Sequence, residues 1–311
     1  MSKLNNLRYY IARVLPYGVR KQIQQFLKAR RQKKAHSIEA RLEDIRNILT
    51  FNMPIDRIPP ATGKLRLLQD GNTVLLDLFS RKCKEHGLRY WLDFGTLLGA
   101  VRHKGFVPWD DDLDISMMRA DYDKLLALLP TMFPKEEGFT WGAHAFIQLG
   151  YKGTPLNLDI TPYHPYCAPY SEENRQRALA GLQQIKKDVV YIAPRMSVTD
   201  AELGELIHRE VLGGKPALPE DEAPMVFLSP IAALTKHMIL SYDTIFPLKE
   251  MEFGGYRLSV PNQARKVLQT FYGDYMSYPP KVGFWHKTVE DMVKKTPFET
   301  AVNEFIDRYG R

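Results

Sequence analysis

Three hydrophobic rhythms follow one another from residue 64 to residue 129. From about Lys64 to His86, Leu65, Leu68, Leu75, Leu76 and Phe79 recur at helical spacing, and Gly87 stands where a left-handed cap closes such a helix. LRYWLDF, residues 88–94, alternates and is rich in β-formers, which predicts a strand. Gly95 to His103 predicts a short helix, Leu113 to Met117 a strand, and Asp121 to Leu129 a helix stopped by Pro130. FIQLGYK and PLNLDITPY, split by Gly153-Thr154, predict a β-hairpin. Helix, strand, helix, strand, helix and then paired strands make an α+β (mixed α/β) domain, a mixed sheet flanked by helices.

The rhythm weakens after Tyr163. Residues 171–190 and 198–212 predict helices, and 225–245 a further one with a weaker period. FPLKEMEFGGYRLSVP then predicts a short hairpin on a Gly-Gly turn, and ARKVLQTFYGDYM a helix ending near Gly273. No internal repeat or low-complexity tract interrupts the chain. Upstream, FNMPIDRIPPAT, residues 51–62, carries three prolines and predicts a linker. Before it, Leu4, Leu7, Tyr10, Ile11, Val14 and Leu15, then Val19, Ile23, Phe26 and Leu27, alternate at helical spacing with Arg and Lys. The organisation expected is a basic amphipathic helical arm over residues 1–50, a linker over 51–62 and a globular domain over 63–311.

Charge sharpens the picture of the arm. The chain of 311 residues has a net charge of +7, yet residues 1–50 hold twelve basic and three acidic residues, so the rest nets −2. Residues 1–34 contain ten basic residues and no acidic one. Such a helical pair suits an anionic membrane surface or a docking face on a partner. No nucleic-acid recognition motif accompanies the charge, so nucleic acid is not an expected partner. An apolar fraction of 44% and a charged fraction of 25% are those of an ordinary globular protein. No apolar run reaches membrane-spanning length, and the start lacks a secretory pattern. Cys83 and Cys167 have no metal-type spacing and are expected reduced, in a cytoplasmic setting peripheral to the membrane.

The most unusual stretch is GTLLGAVRHKGFVPWDDDLDIS, residues 95–116. Asp110, Asp111, Asp112 and Asp114 put four carboxylates into five positions beside Val107, Trp109, Leu113 and Ile115. Two carboxylates roughly 7 Å apart at an effective dielectric of about 20 repel by about 2 kcal/mol. In a strand Asp112 and Asp114 face the same way, with Leu113 and Ile115 turned to the core. That geometry suits a hard divalent cation, Mg²⁺ or Mn²⁺. An EF-hand loop from Asp110 fails, because its sixth position requires glycine and here it is Ile115. A solvated acidic turn accounts for Asp110 and Asp111 but not for the alternating DLDIS.

Gly95-Thr96, opening a helix after a strand, supplies the complementary half: backbone N–H groups and a positive dipole end for a phosphate. Together the two halves are what phosphoryl transfer requires. Asp159 in PLNLDITPY is the candidate third carboxylate, as ligand or general base. Arg102, His103 and Lys104 lie between the halves and are candidate phosphate contacts.

GTLLGAVRHKGFVPWDDDLDI resembles the signature of the LicD family, which includes the fukutin-type proteins. LDITPY is similar to the family's LDIFPL segment, and FPLKEMEFGGYRLSVPNQARKVLQTFYGDYMSYPP to its C-terminal block. The resemblance covers roughly residues 70–160 and 245–281. It implies a nucleotidyltransferase-fold core for the domain over 63–311. It also implies metal-dependent transfer of a phospho-substituted group, phosphocholine first, from a nucleoside diphosphate donor such as CDP-choline or a CDP-polyol to a glycan or glycolipid hydroxyl. Gly95 and Thr96 with Arg102 and His103 would then hold donor phosphate, and Asp112, Asp114 and Asp159 would be metal ligands and catalytic groups. The sequence departs from the family pattern at KVGFWHK, with the single His286, and at LDITPYH. A choline ammonium would seek aromatic faces, for which Trp109, Tyr163, Tyr166 and Tyr170 are candidates. Rival readings are a DxD glycosyltransferase, which does not account for the Gly-Thr helix, and a membrane-recruited pseudoenzyme, against which the intact acidic set argues.

Overall fold

The computed structural model describes residues 53–143, 146–166, 168–188, 191–192, 195–196, 202, 205–214, 223–228, 239–279 and 298–310. The expected arm over 1–50, Cys167, His286 and residues 198–201 and 203–204 of the helix expected over 198–212 lie outside the described residues. From Asp56 onward the described residues belong to one unit.

Helix α1 (Gly63–Glu85) ends as its sequence dictates, with Gly87 left-handed at φ +65°. It buries Leu68, Leu75, Leu76 and Phe79 completely. Strand β1 is shorter than expected, only Trp91–Leu92. Asp93 leaves the strand to cap helix α2 (Phe94–His103), so the alternation of LRYWLDF outlasts its pairing. Next come β2 (Leu113–Met118) and α3 (Arg119–Met132). The expected stop at Pro130 does not occur. α3 runs through that proline, which lies in its last turn, and Phe133 N–H bonds the Leu129 carbonyl at 2.9 Å while Met132 and Phe133 are buried. The missing proline donor forfeits one bond there, and the burial offsets it.

Strands β3 (Phe139–Ala143), β4 (Ile147–Tyr151) and β5 (Asn157–Tyr166) follow. The β4–β5 hairpin was legible in the sequence; β3 was not. β2 and β5 run parallel, and the other pairs in the order β1-β2-β5-β4-β3 are antiparallel. Past Ile160, β5 exchanges β4 for β6 (Met225–Leu228), which pairs with β7 (Ile239–Ser241). The fold is thus α+β around a mixed seven-stranded sheet. Leu113, Ile115, Leu158 and Ile160 are fully buried in the main core. Tyr166, Leu182, Ile185, Met225 and Phe227 form a second cluster, where α4 (Glu172–Asp188) packs.

A short helix, α5 (Tyr242–Ile245), leads to the hairpin of β8 (Lys249–Phe253) and β9 (Tyr256–Val260). Gly254 and Gly255, at φ +57° and +89°, make the two-residue turn that only glycine adopts freely. Gly254 N–H reaches the Lys104 carbonyl at 2.8 Å, tying this hairpin to the end of α2. Helix α6 (Ala264–Tyr272) packs on α2. Helix α7 (Glu299–Tyr309), not foreseen in the sequence, packs on α1. Among the described residues no helix is long and apolar enough to cross a membrane.

Candidate active site

The site starts from Asp93. Its carboxylate is fully buried and caps α2, with Oδ1 accepting the Phe94 N–H at 2.9 Å. Oδ2 accepts the Ser116 hydroxyl at 2.8 Å and the Tyr163 hydroxyl at 3.1 Å. Burial pushes this carboxyl up to about 6, although the hydrogen bonds pull the other way. Phe94 enters the helix at φ +45°, its ring edge-on to Phe271 of α6 at 4.6 Å.

At the helix opening the first N–H groups have no intrahelical acceptor, which makes Gly95 and Thr96 the natural anion-facing positions. Thr96 is buried, and its Oγ1 accepts the Asp114 N–H at 2.8 Å. Its side chain therefore splices helix to acidic strand, which leaves the backbone N–H as the group it can offer an anion. A Cβ added to Gly95 would lie 2.7 Å from Asp110 Oδ2 and 3.9 Å from Asp114 Oδ2. A side chain there would displace the end of the Asp110 carboxylate.

Asp114 and Asp159 are register partners across β2 and β5. With Asp112 they present one carboxylate oxygen each, all within 4.8 Å of one another. Burial, then Asp112, Asp159, Asp110 and Asp93, push the Asp114 carboxyl well above its ordinary range. Two amides orient Asp159: Asn157 Nδ2 donates to its Oδ1 at 2.7 Å and Gln148 Nε2 at 3.1 Å. The loop before β2 is pinned from α1. Gln69 Nε2 donates to the Asp110 carbonyl at 2.8 Å, and fully buried Asn72 donates to the Asp111 carbonyl at 2.9 Å. Asn72 Oδ1 also accepts the Asn157 N–H at 3.1 Å, so one side chain spans both acidic strands. Asp111 is buried, not the solvated turn residue its sequence context suggested. Asp110, Asp111 and Asp112 form a second group with ligand atoms within the same 4.8 Å.

On an octahedral Mg²⁺ with oxygens at about 2.0–2.1 Å, neighbouring ligand oxygens stand about 2.9 Å apart and only an opposed pair about 4.2 Å. The Asp112, Asp114 and Asp159 oxygens, within 4.8 Å of one another, would draw in around such an ion by side-chain rotation. An all-carboxylate set is the chemistry that a hard divalent cation takes, and the elevated Asp114 carboxyl is the strain such an ion would relieve.

The other expected site residues divide. Arg102 is buried, and its Nε donates to His103 Nε2 at 2.9 Å and its Nη1 to the Tyr275 carbonyl at 2.8 Å. The guanidinium lies 5.9 Å from the Trp109 ring. Burial and the Arg102 charge hold His103 down to about 4, so it is a neutral acceptor for that arginine. Lys104 is exposed and faces Glu252 at 3.6 Å. The aromatic head-group pocket is not assembled as expected. Tyr163 is fully buried against Trp91 at 5.2 Å and Tyr166 is buried in the second cluster, while Trp109 sits beneath Arg102. Alternation across β5 could not reveal that both faces of this strand are covered. Tyr170 is half exposed, at 49%.

One residue that sequence reasoning missed is Tyr272, the last residue of α6. The residue is 37% exposed, yet desolvation and the charges of Asp114, Asp93, Asp110 and Asp112 push its phenol above the ordinary range, which places its hydroxyl in the field of the acidic group. Its signal was the YGDYM block, quoted for resemblance but not for chemistry. Gln69, Asn72, Gln148 and Asn157 were missed as well.

Residues 87–191 match the family model described as LicD/FKTN/FKRP, nucleotidyltransferase domain. The lipopolysaccharide cholinephosphotransferase LicD of Haemophilus influenzae is 48% identical over 52 residues, 17% of this chain and 20% of that protein. The human ribitol 5-phosphate transferase FKRP is 34% identical over 86 residues, 25% of this chain and 17% of the relative. The mouse ribitol-5-phosphate transferase FKTN is 30% identical over 118 residues, 33% and 25% respectively. The chain thus spans a quarter or less of these relatives' length. All the acidic residues of the site fall inside the matched segment, and over residues 87–191 this chain carries a domain of the LicD/FKTN/FKRP family.

Proposed function

We propose that the protein is a metal-dependent phosphotransferase. It moves a phospho-substituted group, phosphocholine first, from a nucleoside diphosphate donor such as CDP-choline to a hydroxyl of a cell-surface glycan or glycolipid. The observation that carries this reading is the convergence of Asp112, Asp114 and Asp159 beneath the opening of α2. The relatives' names support the reaction class, and two of the three name ribitol 5-phosphate, which keeps a CDP-polyol donor as the second reading.

Asp112, Asp114 and Asp159 would hold Mg²⁺ or Mn²⁺, which when bound supplies charge neutralisation at the donor phosphates. The N–H groups of Gly95 and Thr96 orient the transferred phosphate along the helix dipole. Asn157 and Gln148 keep Asp159 turned to the reacting groups. The acceptor hydroxyl gives its proton to an Asp159 oxygen as its own oxygen bonds to phosphorus. The bond from phosphorus to the bridging oxygen breaks, and the nucleoside monophosphate leaves. Arg102 acts from behind, carrying positive charge near Asp110 while tied to Tyr275.

Incubating the protein with CDP-choline or CDP-ribitol, Mg²⁺ and glycan acceptor should release CMP and give a phosphodiester by ³¹P NMR. A glycosidic product without phosphorus would make it a glycosyltransferase. The basic residues 1–34 support attachment at the cytoplasmic face of an anionic membrane. Removing them should move the protein to the soluble fraction, and unchanged fractionation would refute that role.

A further inference from the structure

We infer that the sheet face beyond Asp159 is the acceptor subsite, a groove for one neutral sugar ring or polyol; this rests on the phosphotransferase reading. Register sets the geometry. Asp114 pairs with Asp159, Asp159 with Gln148, and Gln148 with Gly142, so these four stand in one row across β2, β5, β4 and β3. Paired residues on neighbouring strands share a face. The adjacent row is Asn157, Gly150 and Thr140. The acidic group therefore continues sideways into a strip of small and amide-bearing residues.

That strip is a groove of about 260 Å³, lined by Thr140, Trp141, Gly142, Gln148, Gly150 and Asn157. Its volume falls below the roughly 300–1,000 Å³ of sites for drug-sized ligands, which limits it to a small ligand. A side chain at Gly150 would crowd it: a Cβ there would lie 2.7 Å from the Leu156 carbonyl oxygen and 3.1 Å from Thr140 Oγ1. Among the described residues no charged side chain lines the groove, which disfavours an ionic ligand. Each lining amide carries two N–H donors and a carbonyl acceptor, the complement of vicinal hydroxyls. The larger described cavity, about 570 Å³, is lined by Asp56, Arg57, Arg66 and Asp70 and by none of the three metal-site aspartates.

The link to chemistry is direct. Gln148 and Asn157 line the groove and both donate to Asp159 Oδ1. A ring hydroxyl held by these amides is delivered to the carboxylate that takes its proton. Its oxygen then forms the new bond to phosphorus as the nucleoside monophosphate departs.

Thr140 is exposed on β3, so Thr140→Trp fills the groove without entering the core. Full-length wild type and variant, with matching thermal melts, are compared in two measurements. Saturation-transfer NMR without donor uses N-acetylglucosamine, N-acetylgalactosamine, galactose and ribitol as probes. At least one binds wild type, and Thr140→Trp weakens that binding tenfold or more. With CDP-choline or CDP-ribitol and Mg²⁺ added, the share of CMP release matched by phosphodiester to that probe falls at least tenfold in the variant. Failure of wild type to bind any probe, equal binding by both proteins or an unchanged share overturns the subsite. Absence of CMP release from either protein refutes the phosphotransferase reading instead, and the NMR comparison then decides the groove alone.

Discussion

Asp114 and Asp159 stand at the same level of two parallel strands, and Thr96 holds the backbone of the first from the opening of a helix. Parallel pairing keeps side chains at matched levels on one face, so two carboxylates are pressed together by the sheet itself. Neither Cβ can leave this face without a shift of its strand register. The fold thus maintains a repulsion that a cation would turn into attraction.

Gly95→Ala tests how tightly the helix opening and the acids share space. The new methyl meets the end of the Asp110 side chain, which can swing, so the domain should still fold. The acid set shifts, and kcat should drop by roughly 10²-fold, as for a displacement of about 1 Å. Steady-state kinetics with an unchanged melting profile would bear this out; full activity would mean that Asp110 does not need its place.

Asp93→Ala removes an N-cap and strands the buried hydroxyls of Ser116 and Tyr163. A lost cap costs about 1 kcal/mol, and unpaired buried polar groups about 1–3 kcal/mol. Urea denaturation should show a loss of about 2–4 kcal/mol. A loss below about 1 kcal/mol would show that water or neighbours replace the carboxylate.

Acid should expose His103. Held down to about 4 when folded, against about 6.5 when unfolded, it makes the unfolded chain the stronger proton binder between those values. Its contribution to stability is lost as pH falls through that window. Asp93, pushed up to about 6, has the opposite sign, costing stability as pH rises from about 4 to about 6. His103→Gln keeps an acceptor for Arg102 Nε, and its melting temperature should decline less than wild type between about pH 6.5 and 4.5. Parallel curves would remove His103 from the account.

Tyr272→Phe should lower kcat/KM for the donor by about tenfold with the fold intact, since it deletes one hydroxyl in the field of the acidic group. Unchanged kinetics would leave Tyr272 as packing for α6.

Local signals carried most of the fold. The 64–86 helix with its Gly87 cap, the DLDIS strand, the β4–β5 hairpin and the Gly254-Gly255 turn were legible because each depends on neighbours in sequence. Strand β3 was not: Gly142 interrupts its alternation, and it exists by pairing with β4. At the site, Asp112 and Asp114 could be named as candidates from their spacing, and Asp159 from the alternation of its strand and the need for a third carboxylate. Asn72, 85 residues from its partner Asn157, could not, since only the packing of α1 brings them together. Tyr163 and Tyr166 looked like pocket walls because alternation does not say what covers each face of a strand.

The central claim is that Asp112, Asp114 and Asp159 are held together for a divalent cation. The most direct test is a Mn²⁺ titration of metal-stripped wild type and Asp114→Asn, followed by thermal melting. Wild type should gain stability with Mn²⁺, by about 2.7 kcal/mol at a hundredfold excess over Kd. Asp114→Asn should begin more stable than metal-free wild type, because the repulsion is gone, and should gain nothing from the ion. Equal Mn²⁺ stabilisation of both proteins, or a metal-free Asp114→Asn less stable than wild type, would contradict the account.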